Sequence, residues 1–180
     1  MKASPRALTA LCALVVLLPA AAAAQAPPPW EESRAESGTG LRFESWGGHL
    51  GLSSSDGFDQ FLLGGHMDLA GLHRHLLLRP GLTLGFGDDA TTFDIQLDGD
   101  WFIPVQDMPV DFYAGAGLSL FFIDWDGGSE FEPGLNIIGG VAGDVNDRVQ
   151  WHGEVKFGIG DIPDFMLLLG FSLNRGAARP

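Results

Sequence analysis

Eight segments of this 180-residue chain alternate apolar and polar residues with period two. Residues 92–103 show it most plainly. Phe93, Ile95, Leu97, Gly99, Trp101 and Ile103 fall on one face, and Thr92, Asp94, Gln96, Asp98, Asp100 and Phe102 fall on the other. Successive side chains of a strand point to opposite faces, so each such segment reads as a strand between two different surroundings. The length is close to the roughly 9–11 residues that a tilted strand needs to cross a bilayer. The other seven segments are 41–52, 61–72, 76–86, 110–123, 130–142, 149–159 and 164–173, separated by turn-rich pieces such as SSSDG, DWDGG and GDIPD. No later stretch keeps a 3.6-residue period with caps, so the sequence predicts an all-β chain.

The N-terminus carries a different signal. Lys2 and Arg6 precede an apolar run over 8–21, and Ala22-Ala23-Ala24 offers a small-residue cleavage site. Together they predict a signal peptide over 1–24, removed after Ala24. The run is short for a helical span of about 20 residues, and no basic cluster follows to stop transfer. The single cysteine, Cys12, lies inside the run, so the rest of the chain has neither a disulfide nor a Cys metal site. Residues 25–40 are polar and Pro-rich and read as a flexible lead-in, 41–173 as the folded domain, and 174–180 as a polar tail.

Without 1–24, eight Lys and Arg face 23 Asp and Glu, a net charge of −15. That excludes nucleic acid as a partner, because phosphate binding needs clustered cations. A mean hydropathy of +0.14 is high for so acidic a chain. Greasy, acidic and rich in glycine (26 residues), the chain fits a closed sheet whose two faces meet lipid and water.

Eight strands joined by short turns form a meander, and a twisted meander can close on itself. Closure removes free edges, which lipid requires because it satisfies no unpaired N–H or C=O. Two patterns put the apolar face outward. The polar face carries Gly64, Gly81, Gly85, Gly115, Gly117 and other glycines, which suit the narrow interior of an eight-stranded barrel. Aromatics also mark both ends of the apolar face, with Trp101, Phe112, Trp151 and Phe171 at one and Phe86, Phe93, Phe122, Phe131 and Phe165 at the other. Paired aromatic girdles are expected at the two interfaces of a membrane barrel.

Over 41–173, this architecture and a last strand ending Gly170-Phe171-Ser172-Leu173 resemble the small bacterial outer-membrane barrels, the OmpA transmembrane-domain-like and OmpX-like porin-type proteins. Members of that family usually end in an aromatic; here Leu173 takes that place and seven residues follow. The resemblance implies an eight-stranded antiparallel up-and-down transmembrane β-barrel in the bacterial outer membrane, with both termini periplasmic. It also implies outer-membrane lipid and lipopolysaccharide as surroundings, insertion by the barrel-assembly machinery, a monomer, no cofactor and no catalytic residue. The functions it leaves open are a structural or envelope role with a side-chain-filled acidic lumen, and a narrow cation-leaning porin. A secreted, lipocalin-like barrel carrying a hydrophobic ligand would need the apolar face inward.

With periplasmic termini, the first, third, fifth and seventh connections face outside. All are acidic, through Asp56 and Asp59, Asp88 and Asp89, Asp124 and Asp126, and Asp161 and Asp164. They read as a solvated rim or as divalent-cation sites bridging to lipopolysaccharide phosphates; Asp124 to Glu130 lacks the full spacing of a calcium loop. Inside, counting from the turns places Arg79 across from Asp68 and near Asp98 and Asp100, one guanidinium facing three carboxylates, which reads as a structural ion cluster or as a gate or proton path. Lys156 shares a face with Glu154, His152 and Asn136 in a second, smaller network. Eight lumen acids are expected: Asp68, Asp94, Asp98, Asp100, Asp111, Glu130, Glu132 and Glu154. His73 and His75 in a turn lack a third zinc ligand. Pro80 and Pro133 fall inside strands and predict a bulge or a strand end at each. No G-x-S-x-G occurs, and no Ser–His pair lies on the apolar faces, which argues against a hydrolase.

Overall fold

The computed structural model describes residues 40–55, 58–87, 90–103, 105, 108–125 and 128–174. Its eight strands are β1 (Arg42–Ser55), β2 (Phe58–His73), β3 (Leu76–Phe86), β4 (Thr91–Ile103), β5 (Asp111–Trp125), β6 (Gly128–Asn146), β7 (Val149–Ile159) and β8 (Phe165–Asn174). Each pairs antiparallel with the next, and β1 pairs antiparallel with β8, from Ser45↔Asn174 to Ser54↔Phe165, so the sheet closes into a barrel. The predicted signal peptide, most of the lead-in, residues 175–180, and Asp56, Asp88, Asp89 and Asp126 lie outside the described residues.

Period-two alternation turns directly into two faces. Phe93, Ile95, Leu97 and Trp101 of β4 are exposed on the outside of the barrel, while Asp94, Gln96, Asp98, Asp100 and Phe102 between them are buried inside it. The same holds for β8, where Leu167, Leu169 and Phe171 face out and Met166, Leu168 and Ser172 face in. The outer surface is therefore apolar, with aromatics in contact along one rim: Phe93, Phe122 and Phe131 follow one another at 6.1 and 4.9 Å between ring centroids.

At one end Arg74 and His75 link β2 to β3, and Asp147 and Arg148 link β6 to β7. Asn146 Oδ1 there accepts from the Arg148 and Val149 amides at 2.9 and 3.1 Å, a side chain standing in for a backbone turn. Gly71, at φ 113°, takes a left-handed conformation beside the β2 irregularity that leads into its turn. At the other end the 160–164 loop starts at Gly160, at φ 110°, and folds Ile162 back into the barrel mouth, where it is buried against Gly134 and Gly158.

Several strand ends run further than the alternation predicts. Pairing continues through Ser53↔Gln60 to Ser55↔Phe58 and through Gly143↔Trp151 to Asn146↔Val149, so β1, β2 and β6 are longer. β5 likewise runs on through Trp125↔Gly128. These extensions are rich in Ser, Asp and Gly because they stand beyond the apolar band, where neither face needs an apolar residue. Pro80 causes no bulge; it pairs with Leu97 in an unbroken β3–β4 register. Pro133 likewise causes neither a bulge nor a strand end; it pairs with Leu120 in an unbroken β5–β6 register, in the part of β6 that extends past the last β6–β7 pair, Leu135↔Ile159.

Inside, the barrel is layered. Ala70, Leu77, Phe102, Tyr113, Ile138 and Ala142 form an apolar cluster near the end that carries the Arg74–His75 turn. Leu62, Met166 and Leu168 form a smaller one near the opposite mouth, with Ile162 above. Polar and charged residues fill the space between.

Candidate functional site

The middle layer gathers all six residues expected to form the lumen charge cluster. β2 supplies Asp68, β3 Arg79, β4 Asp98 and Asp100, and β7 Glu154 and Lys156; each side chain is buried. Arg79 Nε donates to Asp68 Oδ1 at 2.9 Å, and its Nη1 lies 3.1 Å from both Asp100 Oδ2 and Glu154 Oε2. Lys156 Nζ lies 2.5 Å from Asp98 Oδ2, 2.6 Å from Gln96 Oε1 and 3.4 Å from Glu154 Oε1. Glu154 thus bridges the two cations. Tyr113 donates its hydroxyl to Glu154 Oε2 at 2.9 Å, and its ring lies under the Arg79 guanidinium at 5.7 Å. Asp68 accepts from Ser45, and Asp94 accepts from Ser119 and Gln96, both at 2.5 Å.

The expected partners need correction in two places. Arg79 does face three carboxylates, but the third is Glu154; Asp98, although directly opposite Arg79 in the β3–β4 register, bonds to Lys156 instead. The two networks are one. Register gives neighbours within the sheet, whereas closure of a narrow barrel brings β4 and β7, on opposite walls, within one side-chain length of each other. The expected set of eight lumen acids also shrinks. Asp68, Asp94, Asp98, Asp100 and Glu154 are buried, but Glu130 is exposed and Asp111 and Glu132 are only half-buried. Those three sit near strand ends, where the barrel opens to solvent.

A histidine group is the part that sequence reasoning missed. His49, His66 and His152 come from β1, β2 and β7, and their inward parity is legible, but their convergence is not. The His49 and His66 rings stack at 5.9 Å, and His152 meets His66 edge-on at 5.1 Å. His49 Nε2 shares a hydrogen bond with Thr83 Oγ1, and His66 Nε2 with Ser172 Oγ, each at 2.9 Å. β8 carries Gly170 and Ser172 inward between β1 and β7, so no bulky side chain separates the rings. The signal that could have found them is this pairing of each ring with a glycine: an added Cβ on Gly47 would strike His66, on Gly64 His49, and on Gly170 His152.

Between the histidines and the ion network lies a cavity of about 10 Å³, room for about one water. With an apolar cluster on either side, the layer is closed along the barrel axis. The arrangement fixes charge in place and fills space, and the two hydroxyls that meet a histidine, Thr83 at His49 and Ser172 at His66, are themselves buried inside this layer. His73 and His75 stack on Trp101 at 4.7 and 5.6 Å instead of presenting a joint site, and among the described residues no group of three or more His, Cys, Asp or Glu is arranged to hold a metal ion. The described loop acids Asp59, Asp124, Asp161 and Asp164 are all exposed.

No family model matches the chain, and no curated protein matches it. Among solved structures, the barrel is similar to Neisserial surface protein A, at 20% identity and a TM-score of 0.57, over 74% of this chain and 98% of that one. It is also similar to the N-terminal β-barrel domain of Pseudomonas aeruginosa OprF, at 16% identity and a TM-score of 0.57, over 74% of this chain and 99% of that one. The fold is therefore that of the small eight-stranded outer-membrane barrels, as the sequence resemblance implies.

Proposed function

We propose that this chain is an integral protein of the bacterial outer membrane, with a structural or envelope role and a lumen that does not conduct. One observation carries the reading: the closed barrel turns its apolar face outward and its charges inward. Leu97, Leu118 and Leu135, 45, 57 and 50% exposed, form one continuous outward row across three strands. In water such a surface would be an aggregation liability; in lipid it is what a spanning barrel presents. Each outward leucine moved from water into lipid contributes about 1.5–3 kcal/mol.

Support for a closed lumen comes from its layers, with the ion network sealed between Phe102 and Tyr113 on one side and Leu62, Met166 and Ile162 on the other. A lipocalin-like carrier would need an apolar interior cavity, whereas the cavity in the middle layer is about 10 Å³ and lined mostly by polar side chains. The same reading gives outer-membrane lipid and lipopolysaccharide as surroundings, the barrel-assembly machinery as the insertion partner, a monomer, no cofactor and no catalytic residue. The test is planar-bilayer recording of the refolded barrel in 1 M KCl. The structural role predicts a silent membrane. Discrete openings would favour the narrow porin reading instead, and the acidic lumen then predicts preference for cations.

A further inference from the structure

The closed middle layer does not balance its charge. Five carboxylates are buried there, those of Asp68, Asp94, Asp98, Asp100 and Glu154, against two cations, Arg79 and Lys156. The excess is three negative charges. Burying even one uncompensated carboxylate is costly enough that such groups neutralise instead. Polar atoms without hydrogen-bond partners sit in the same layer. Asp98 Oδ1 and Asp100 Oδ1 have no hydrogen-bond partner, and neither has the amide of Asn136, which is 1% exposed. Asn136 points into the lumen from β6, paired with Gly117, and the Asp98 carboxylate lies over that same glycine from β4.

What supplies the missing positive charge is constrained by space and by neighbours. A cavity of about 10 Å³ has no room for an inorganic ion with its water shell. Lys156 and Arg79 already stand against Asp98 and Asp100 and would repel one. A proton needs neither space nor a coordination shell. His49, His66 and His152 face the same cavity and offer three further places to carry it, with Nδ1 of His66 and of His152 unpartnered.

We infer that the closed lumen is a proton-binding site, taking up as many as three protons when the barrel folds, shared among its carboxylates and its three histidines. This rests on the closed lumen proposed above. Above about pH 7.5 the unfolded chain has its carboxylates ionised and its histidines, whose ordinary value is about 6.5, largely neutral, so the native state binds more protons than the unfolded one, and stability falls as pH rises.

The test is reversible urea unfolding of the full chain without 1–24 in phosphatidylcholine vesicles, between about pH 7.5 and 9, in KCl and in choline chloride. The folding constant should drop about tenfold per pH unit for each proton taken up, equally in both salts. Asp100→Asn removes one excess charge and should make the slope shallower by about one proton, while Asp59→Asn, at the solvated loop end, leaves it unchanged. If Asp100→Asn does not fold, infrared spectroscopy of the parent barrel decides between carriers, showing a protonated-carboxyl band or a protonated-imidazole signature. A flat pH profile overturns the inference, and so does a folding constant that rises with KCl but not with choline chloride, which would mean that an inorganic cation enters. A silent barrel with a flat profile overturns the proton site alone; a conducting barrel with a flat profile overturns the closed lumen as well.

Discussion

Gly139 and Gly140 are neighbours in β6 that face opposite sides of the barrel wall, and alanine at each should have opposite effects. A Cβ on Gly139 would meet nothing within 4 Å. Glycine in a strand interior is less favourable than alanine by about 0.5–1 kcal/mol, so Gly139→Ala should stabilise by that much. A Cβ on Gly140 would overlap the Tyr113 ring, which is held between the Arg79 guanidinium and its hydrogen bond to Glu154. Overpacking of this kind costs about 1–3 kcal/mol. Displacing the hydroxyl from a charged acceptor adds about 1.5–3 kcal/mol. The intrinsic preference for alanine is common to both positions and cancels in the comparison, so the two variants should differ by about 2.5–6 kcal/mol, or about two to four orders of magnitude in folding constant. The assay is urea-dependent folding into phosphatidylcholine vesicles, followed by tryptophan fluorescence. Equal effects, or Gly139→Ala as the more damaging change, would refute the assignment of faces and the packing of each inward ring on a glycine.

Arg79→Met should cost about 3–5 kcal/mol in the same assay, because it leaves Asp68, Asp100 and Glu154 buried without their common cation. Tyr113→Phe keeps the ring and removes only the bond to Glu154, so it should cost less, about 1.5–3 kcal/mol. Leu97→Arg places a cation on the outward face midway between Phe93 and Trp101, and should cost about 2–4 kcal/mol in a bilayer. The same change on a water-exposed surface would be nearly neutral, so an unaffected Leu97→Arg variant would argue against a lipid-facing wall.

Much of the fold was legible because one physical rule governs most of it. A wall between lipid and side-chain-filled lumen forces period two, and β3 and β7 have the bounds that the alternation gives. Legibility fades where the wall leaves the apolar band. Ser53 to Ser55, Gly143 to Asn146 and Trp125 are strand by hydrogen bonding, yet no face there demands an apolar residue. Pro80 shows a local rule yielding to its neighbours, since an intact register to β4 passes straight through it. The candidate site was half legible. Parity puts Asp68, Arg79, Asp98, Asp100, Glu154 and Lys156 on the inner face, and each of the six is buried. Their pairing depends on which opposite walls a closed barrel brings together, and no strand-by-strand count contains that. The same limit hid the meeting of His49, His66 and His152, which requires the β1–β8 closure and the small residues of β8.

The central claim is that the apolar face lies outside and meets lipid. Heat-modifiability tests it most directly. The chain without 1–24 is refolded in detergent and run unboiled and boiled on a denaturing gel. An intact, detergent-resistant barrel predicts two mobilities, with the unboiled band shifted from the boiled one. A chain that stays soluble without detergent and runs at one mobility in both lanes would contradict the account, and would mean that the apolar face is covered by the protein itself.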